Sequence, residues 1–295
     1  MAVLTAEVAR TAPAPMPPHR RRRRNRGAGW PTYTFLAIVF IVSVFPFYWT
    51  IVAASTSNTE INQVPPNLVP GENLFTNFGK ALETVNMGKA LWNSLIVSGS
   101  VTIGTVLFGT LAGFAFAKLQ FRARNLLLAL VIATTFVPPQ LGAVPLYQLM
   151  AKFELIDKLP AVILPGLVSA FGVFFLRQYL VRALPDELIE AARVDGASFT
   201  RIFISVVLPI ARPAMAVLGM LTFMATWNDL FWPLIILQSD NPTVQVAIDN
   251  LNAGYVPDMS IILAGTLLGT LPVLAVFIVL GRQIVSGIMQ GAIKG

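Results

Sequence analysis

Uncharged apolar stretches long enough to cross a lipid bilayer recur along this chain of 295 residues. A helix that crosses a hydrocarbon core of about 30 Å needs roughly 20 apolar residues, and it satisfies its backbone hydrogen-bonding groups internally. Six stretches meet or approach this length, and only Arg212 interrupts one of them: 33–54, 91–117, 125–151, 159–176, 204–227 and 259–281. We therefore expect an all-α membrane protein in which each stretch forms one transmembrane helix.

The composition excludes several other classes of protein. Hydrophobic residues make up 55% of the chain and charged residues 12%, which is about half the fraction usual in globular proteins. The chain has no cysteine and a single histidine, His19, which excludes disulfides, thiolate metal sites and histidine clusters. No G-x-x-x-x-G-K-[ST] phosphate loop is present. We expect no cofactor, no metal and no enzymatic activity in this chain.

The distribution of Lys and Arg predicts the orientation in the membrane. Residues 1–29, rich in Ala, Pro and Arg, read as a disordered basic tail, and the arginines at 20–24 and 26 hold this end in the cytoplasm. Binding of nucleic acid or anionic lipid is the alternative interpretation of this run. With the N-terminus inside, ten basic residues fall on the inside after the tail and four fall outside. Both termini are then cytoplasmic.

None of the uncharged stretches places an Asp, Glu, Lys or Arg at mid-membrane depth, and Arg212 lies in the first half of the remaining one. Proton- and sodium-driven carriers often place such residues there as relays or ion sites. Asp229 is the nearest candidate, but it lies toward the outer end of its predicted helix. If the protein moves a solute uphill, the energy is expected to come from another subunit.

The segment from Leu184 to Pro209 is the most informative part of an inside loop. Pro185, Asp186 and Glu187 are typical of a helix start, because proline fixes φ and acids favour the positive end of the helix dipole. Gly196 is expected to end this helix, and a second helix follows. The first helix is predicted to present a narrow face of Leu184, Leu188, Ala191, Ala192 and Asp195. This segment is either a docking surface or an amphipathic linker on the membrane.

The same segment resembles the signature E-A-A-x3-G-x9-I-x-L-P of the membrane subunits of bacterial ABC importers. The matching residues are Glu190, Ala191, Ala192, Gly196, Leu208 and Pro209, and Val206 replaces the usual isoleucine. The resemblance implies that residues 185–209 couple the permease to an ATPase subunit, with Asp195 in the same surface. It also implies that Glu190 pairs with a basic group of that subunit and that Gly196 makes the turn.

Further stretches resemble the maltose-type, carbohydrate-importing branch of the family. They are 77–78, 91–94, 114–119, 226–234 and the terminal 287–295. The resemblance covers 33–295 and implies the type I ABC importer permease fold of the smaller maltose permease, within a permease domain over 30–295 in a bacterial cell membrane. The implied partners are a second homologous permease, two ATP-binding subunits and an extracytoplasmic sugar-binding protein.

Polar and aromatic side chains near the helices are candidates for a substrate path. They are Asn93, Gln140, Trp227, Asn228, Asp229 and Trp232. Buried amides also join helices, and aromatic residues also form belts at the membrane interface, so each has a structural alternative. Three functions other than ATP-driven sugar import remain open: import of another solute such as glycerol phosphate, ion-coupled sugar transport and a scaffold without transport.

Overall fold

The computed structural model describes residues 29–238, 240–253 and 257–292, without the side chains of residues 280 and 282–292. The predicted basic tail, apart from Gly29, lies outside these residues, as does the end of the terminal 287–295 motif. Within the described ranges the regular structure is helical. The helices are α1 (Trp30–Ser55), α2 (Asn58–Ile61), α3 (Leu74–Thr84), α4 (Met87–Lys118), α5 (Arg124–Ala133), α6 (Ala143–Lys152), α7 (Leu159–Gly166), α8 (Ala170–Ala183), α9 (Asp186–Val194), α10 (Phe199–Ile202), α11 (Leu208–Trp227), α12 (Phe231–Ile236), α13 (Val244–Asn252) and α14 (Met259–Ala292).

The expected apolar spans are present. Five described stretches are long and apolar enough to cross a membrane: Trp30–Ser55, Met87–Lys118, Leu159–Ala183, Phe199–Trp227 and Met259–Val279. The pieces Arg124–Phe136 and Pro139–Lys152 give a sixth span if they are counted together. The all-α class is thus confirmed, and so are five of the six predicted spans, or six if the bent pair is one span. The expectation of a single helix over 159–176 is wrong, because this span is divided into α7 and α8.

The prediction of one continuous helix over 125–151 is wrong. The two pieces of this span meet at an angle of 93°. Pro138 and Pro139 have no backbone N–H to donate, and Val137 before them is extended, with φ −84° and ψ 116°. The chain passes through short 3₁₀ turns at this point instead of continuing the α-helix.

Two compact units divide the described chain, one ending at Pro46 and the other beginning at Phe47. In the second unit α4 packs most extensively, against α8 and α11. Gly113 permits the close approach to α8, because a Cβ there would lie 2.9 Å from the backbone nitrogen of Arg177. Small residues at helix contacts are typical of membrane bundles.

Candidate functional site

Helix α9 begins where the sequence predicts and is tied to α4 by an ion pair. Pro185 has φ −64° and ψ 144°, which is extended backbone, and Asp186 and Glu187 occupy the first helical turn. The Nζ of Lys118, at the end of α4, lies 2.7 Å from Oδ1 of Asp186. The Lys118 side chain is only 8% exposed, whereas that of Asp186 is 71% exposed. Asp186 therefore compensates a buried ammonium and favours the N-terminal end of the α9 dipole.

Helix α9 ends at the predicted glycine. Gly196 has φ +78°, in the left-handed region that favours glycine. Its N–H donates to the carbonyl of Arg193 at 3.0 Å, and the N–H of Ala197 donates to the carbonyl of Ala192 at 2.9 Å. These two bonds form a Schellman motif, which satisfies the last carbonyls of the helix. The glycine thus fixes the angle at which the chain leaves α9.

An aromatic cluster joins the second half of the segment to α4. The ring of Phe114 in α4 lies 5.5 Å from that of Phe199 and 6.2 Å from that of Phe203. Ile189 of α9 and Ile202 of α10 are buried in the same apolar cluster. Both short helices of the segment are therefore packed on the end of α4.

The passage from α10 to α11 is a π-helical turn over Phe203–Val207. Pro209 is in the first turn of α11, and its missing N–H and its ring disfavour an ordinary α-helical bond at this position. The widened turn lets Phe199–Trp227 run as one span through the Leu208–Pro209 pair.

The segment presents an unpartnered outer face. Glu190, Ala191, Asp195 and Gly196 are exposed, as is Pro209, while Ala192 and Leu208 are half-buried. Leu188 and Val194 are apolar but 45% and 88% exposed. The predicted single face of small residues is wrong in detail, because Leu184 and Ala192 face the protein whereas Leu188, Ala191 and Asp195 face outward.

A polar pocket of about 610 Å³ lies between α9 and the connection from α4 to α5. Arg124 is on its wall and donates to the carbonyls of Leu119 and Ala117, which are otherwise unpaired at the end of α4. Glu190 and Arg193 line the opposite side. The sequence does not mark Arg124, which lies in the first turn of α5, or Lys118, although Lys118 lies in the last turn of α4, where basic residues are a known capping signal.

At the other end of the Phe199–Trp227 span, side-chain hydrogen bonds hold the 228–243 segment. The buried amide of Asn93 donates to Oδ1 of Asn241 at 3.0 Å and to the carbonyl of Pro242 at 2.9 Å. Asn241 in turn donates to the carbonyl of Asp157 at 2.8 Å. The Asp157 carboxylate accepts the N–H of Gln238 at 2.9 Å. Asn93 thus joins α4 to this segment, and Asp157 and Asn241 are sites that the sequence did not indicate.

Both predicted tryptophans are buried and hydrogen-bonded. Trp227 is 2% exposed and donates its indole N–H to the carbonyl of Gly269 at 3.0 Å. Trp232 is 9% exposed and donates to the carbonyl of Ala161 at 3.0 Å. These contacts tie the two ends of the turn after α11 to α14 and α7.

Asp229 lies on a cavity of about 230 Å³. Its Oδ1 accepts the N–H of Phe231 at 3.1 Å, and burial raises the pKa of the carboxyl, while backbone hydrogen bonds from Trp232 and Phe231 lower it. An adjoining cavity of about 610 Å³ shares Thr226 and Gly166 in its lining. The sequence-predicted residues Asp229 and Trp232 therefore meet at one cavity.

The remaining two candidates for a substrate path lie near this cavity but not on its wall. Asn228 is exposed, donates to the carbonyl of Met224 at 2.8 Å and accepts from Gln245 at 3.4 Å. Gln140 is exposed on the 3₁₀ turn of the broken span, beside Pro139, which lines the cavity.

Comparison with known proteins places this architecture in a family. Residues 105–289 match the family described as binding-protein-dependent transport system inner membrane component. The chain is 34% identical to the lactose transport system permease protein of Rhizobium radiobacter, over 89% of this chain and 95% of the relative. It is 32% identical to the arabinooligosaccharides transport system permease protein of Halalkalibacterium halodurans, over 88% and 94%.

Two further similarities extend this picture. The sn-glycerol-3-phosphate transport system permease protein of Yersinia enterocolitica is 31% identical over 86% of this chain and 94% of its own length. A chain in the crystal structure of a bacterial ABC transporter involved in the import of the acidic polysaccharide alginate matches with a TM-score of 0.74 at 19% identity. That match covers 85% of this chain and 94% of the other, and it shows a shared fold.

The multi-span helical arrangement, with the short helix α9 placed before the Phe199–Trp227 span, thus has a permease fold. The chain belongs to the family of binding-protein-dependent transport system inner membrane components, and it is a membrane-spanning permease.

Proposed function

We propose that this chain is one of two permease subunits of an ATP-driven importer for a sugar, such as an oligosaccharide or a glycoside. The lactose and arabinooligosaccharide systems among its relatives support the substrate class. The partners are a second homologous permease, two ATP-binding subunits and an extracytoplasmic sugar-binding protein. In this proposal residues 30–295 form the permease domain, residues 1–29 form a tail, and both termini are cytoplasmic in a bacterial cell membrane.

The observation that carries the proposal is the exposed outer face of α9 on a firmly anchored base. Val194 and Leu188 would cost free energy if they stayed in water, and the adjacent Glu190 offers a charge to a basic partner group. We therefore assign residues 185–209 as the coupling segment, which docks on an ATP-binding subunit. Hydrolysis takes place on that subunit, and this chain performs no chemistry on the sugar.

The anchoring determines how motion of the coupling segment reaches the membrane. When the ATP-binding subunits close, they displace α9 and α10, and the Lys118–Asp186 pair and the Phe114 cluster transmit that displacement to α4. Since α4 packs on α8 and α11, these helices move with it and shift the balance between outward-open and inward-open arrangements.

The docking role of Glu190 is tested with the complete transporter in proteoliposomes, using lactose as the first probe and arabinooligosaccharides as the second. Glu190→Lys should abolish uptake and detach or uncouple the ATP-binding subunit while the chain stays inserted. The matched control is Glu83→Lys, which reverses the charge of an exposed glutamate on α3. Uptake that survives Glu190→Lys would contradict the assignment, and so would uptake driven by a proton gradient with this chain alone.

The left-handed backbone at Gly196 is tested with two substitutions that both add a side chain. No atom of this chain lies within 4 Å of a Cβ built at this glycine, so within the chain a substitution acts through the backbone angle. Asparagine tolerates left-handed backbone and a β-branched residue does not. Gly196→Asn should retain most uptake and Gly196→Val should lose it. Full uptake by both variants would show that this angle has no role in coupling.

A second cargo has a specific observation in its favour. A relative with 31% identity belongs to an sn-glycerol-3-phosphate transport system. That solute is an anion, whereas lactose and arabinooligosaccharides are neutral. The charge of the solute therefore separates the two candidates.

A further inference from the structure

The two adjoining cavities at the end of α11 have an unusual lining for a site that would handle an anion. The smaller is lined by apolar side chains, Thr226 and Asp229, and the larger adds hydroxyl groups. Among the described residues that line either cavity, Asp229 is the only ionisable one, and neither lining contains a Lys or an Arg. The complete polar lining consists of Thr105, Ser169, Thr222, Thr226 and Asp229.

The position of Asp229 makes its charge effective in the cavity. The residue follows the end of α11 and is half-buried, and its Oδ1 is held by the N–H of Phe231 at 3.1 Å. Among the described residues the Lys118–Asp186 pair is the one ion pair, and Asp229 has no ionic partner there. A charge beside low-dielectric walls is screened less than one in bulk water, so its field reaches across the cavity.

The remaining groups suit a polyhydroxyl solute. A carboxylate accepts hydrogen bonds from hydroxyl groups, and the Thr226 hydroxyl offers a donor or an acceptor. Phe231, 41% exposed, and the exposed Pro139 and Pro165 offer contacts for the C–H faces of a sugar ring. Mostly apolar walls with a few fixed polar groups are typical of small-molecule sites.

We propose that the cavity beside Asp229 is a solute-binding subsite for uncharged polyhydroxyl compounds and that Asp229 rejects anions there. The inference rests on the proposed transport function and sharpens it: the cargo is a neutral saccharide and not a phosphate ester. The subsite lies at the end of the Phe199–Trp227 span opposite to the coupling segment, so a solute meets Asp229 before it enters the span.

The absence of cysteine in this chain allows a direct test of the field in the cavity. Thr226→Cys is placed in the complete transporter, and its reaction with cationic, neutral and anionic methanethiosulfonates is followed by the mass of this chain. The thiolate attacks the reagent sulfur, a mixed disulfide forms and methanesulfinate leaves. We expect the cationic reagent to react at least tenfold faster than the anionic one, relative to their rates with a free thiol.

Two variants separate the effect of Asp229 from general accessibility. Adding Asp229→Asn to Thr226→Cys should remove most of the charge preference. Thr222→Cys, one turn earlier in α11 and on the wall of the larger cavity, should show a weaker preference and a smaller response to Asp229→Asn. Equal rates for anionic and cationic reagents at Thr226→Cys, or no response to Asp229→Asn, would overturn the proposal.

Protection from modification tests binding. Lactose or arabinotriose should slow the modification of Thr226→Cys, and sn-glycerol 3-phosphate should not. The subsite proposal would be contradicted if sn-glycerol 3-phosphate protects the cysteine, or if neither saccharide does. The modification rates are measured independently of uptake. If the cavity discriminates between the reagents by charge but the transporter imports no sugar, the proposed function is refuted and the role of Asp229 in the cavity is retained.

Discussion

The two ends of the Phe199–Trp227 span are built by different means. At the first end, the coupling segment is held by apolar packing around Phe114 and by the buried Lys118 paired with Asp186. At the other end, the 228–243 segment is held by hydrogen bonds from Asn93 and from the indole of Trp232, and a cavity remains beside it. The first construction suits a rigid surface that receives force, and the second suits a polar site that stays open.

The largest expected effect comes from Trp227, which closes the cavity end of the span against α14. Trp227→Ala should lower the free energy of unfolding by about 3–5 kcal/mol, because a side chain that is 2% exposed leaves a hole. Trp227→Phe should cost about 1–2 kcal/mol, since it loses the hydrogen bond to the Gly269 carbonyl. Unfolding in detergent measures both. A similar loss in the two variants would assign the stabilisation to the hydrogen bond instead of to packing.

The next effect tests the ion pair at the coupling end. Asp186→Ala leaves the ammonium of Lys118 buried without a counter-charge. The free energy of unfolding should fall by about 1–3 kcal/mol. This is less than for breaking a fully buried pair, because Asp186 is largely exposed. Uptake per ATP hydrolysed should fall. The control is Glu187→Ala, which removes an exposed acid from the same helical turn.

Exchanging the charges of Lys118 and Asp186 tests whether the attraction between them, and not another effect of either substitution, supports coupling. Lys118→Asp and Asp186→Lys should each impair coupling, and the double variant should recover part of it. If the double variant is as impaired as the worse single variant, the pair does not link α9 to α4.

The smallest effect concerns the hydrogen bonds of Asn93. Asn93→Ala removes the two donations to Asn241 and Pro242, and it should cost about 1–2 kcal/mol. Amide hydrogen exchange should rise at residues 240, 241 and 243 and stay unchanged in α9. Trp92→Ala, at the adjacent and 64% exposed position, is the control. Faster exchange in α9 would show that the two ends are not held independently.

Sequence periodicity and composition predicted most of the fold. The apolar spans, the start of α9 after Pro185 and its end at Gly196 depend on local backbone chemistry, and the structure confirms them. The break in the third span was missed although Pro138 and Pro139 were visible, because proline is tolerated in membrane helices whose neighbours compensate for it. Pro46 in α1 and Pro272 in α14, by contrast, lie inside continuous helices.

The candidate site was less predictable because it depends on contacts between distant parts of the chain. The pair Lys118–Asp186 and the triad of Asn93, Asn241 and Asp157 join elements that no local pattern relates. The cavity beside Asp229 likewise draws its walls from several helices. The sequence marked Asp229 and Trp232, but only the fold shows that they share a cavity.

Cross-linking measures most directly whether the outer face of α9 meets the ATP-binding subunit. In the cysteine-free chain, Val194→Cys, at a position that is 88% exposed, carries a thiol-reactive photo-cross-linker in the complete transporter. Glu83→Cys on α3 carries the same group as the control. Cross-links from position 194 to the ATP-binding subunit, and none to it from position 83, are the predicted result. No such cross-link from position 194, or equal yields from both positions, would contradict the coupling role of this segment.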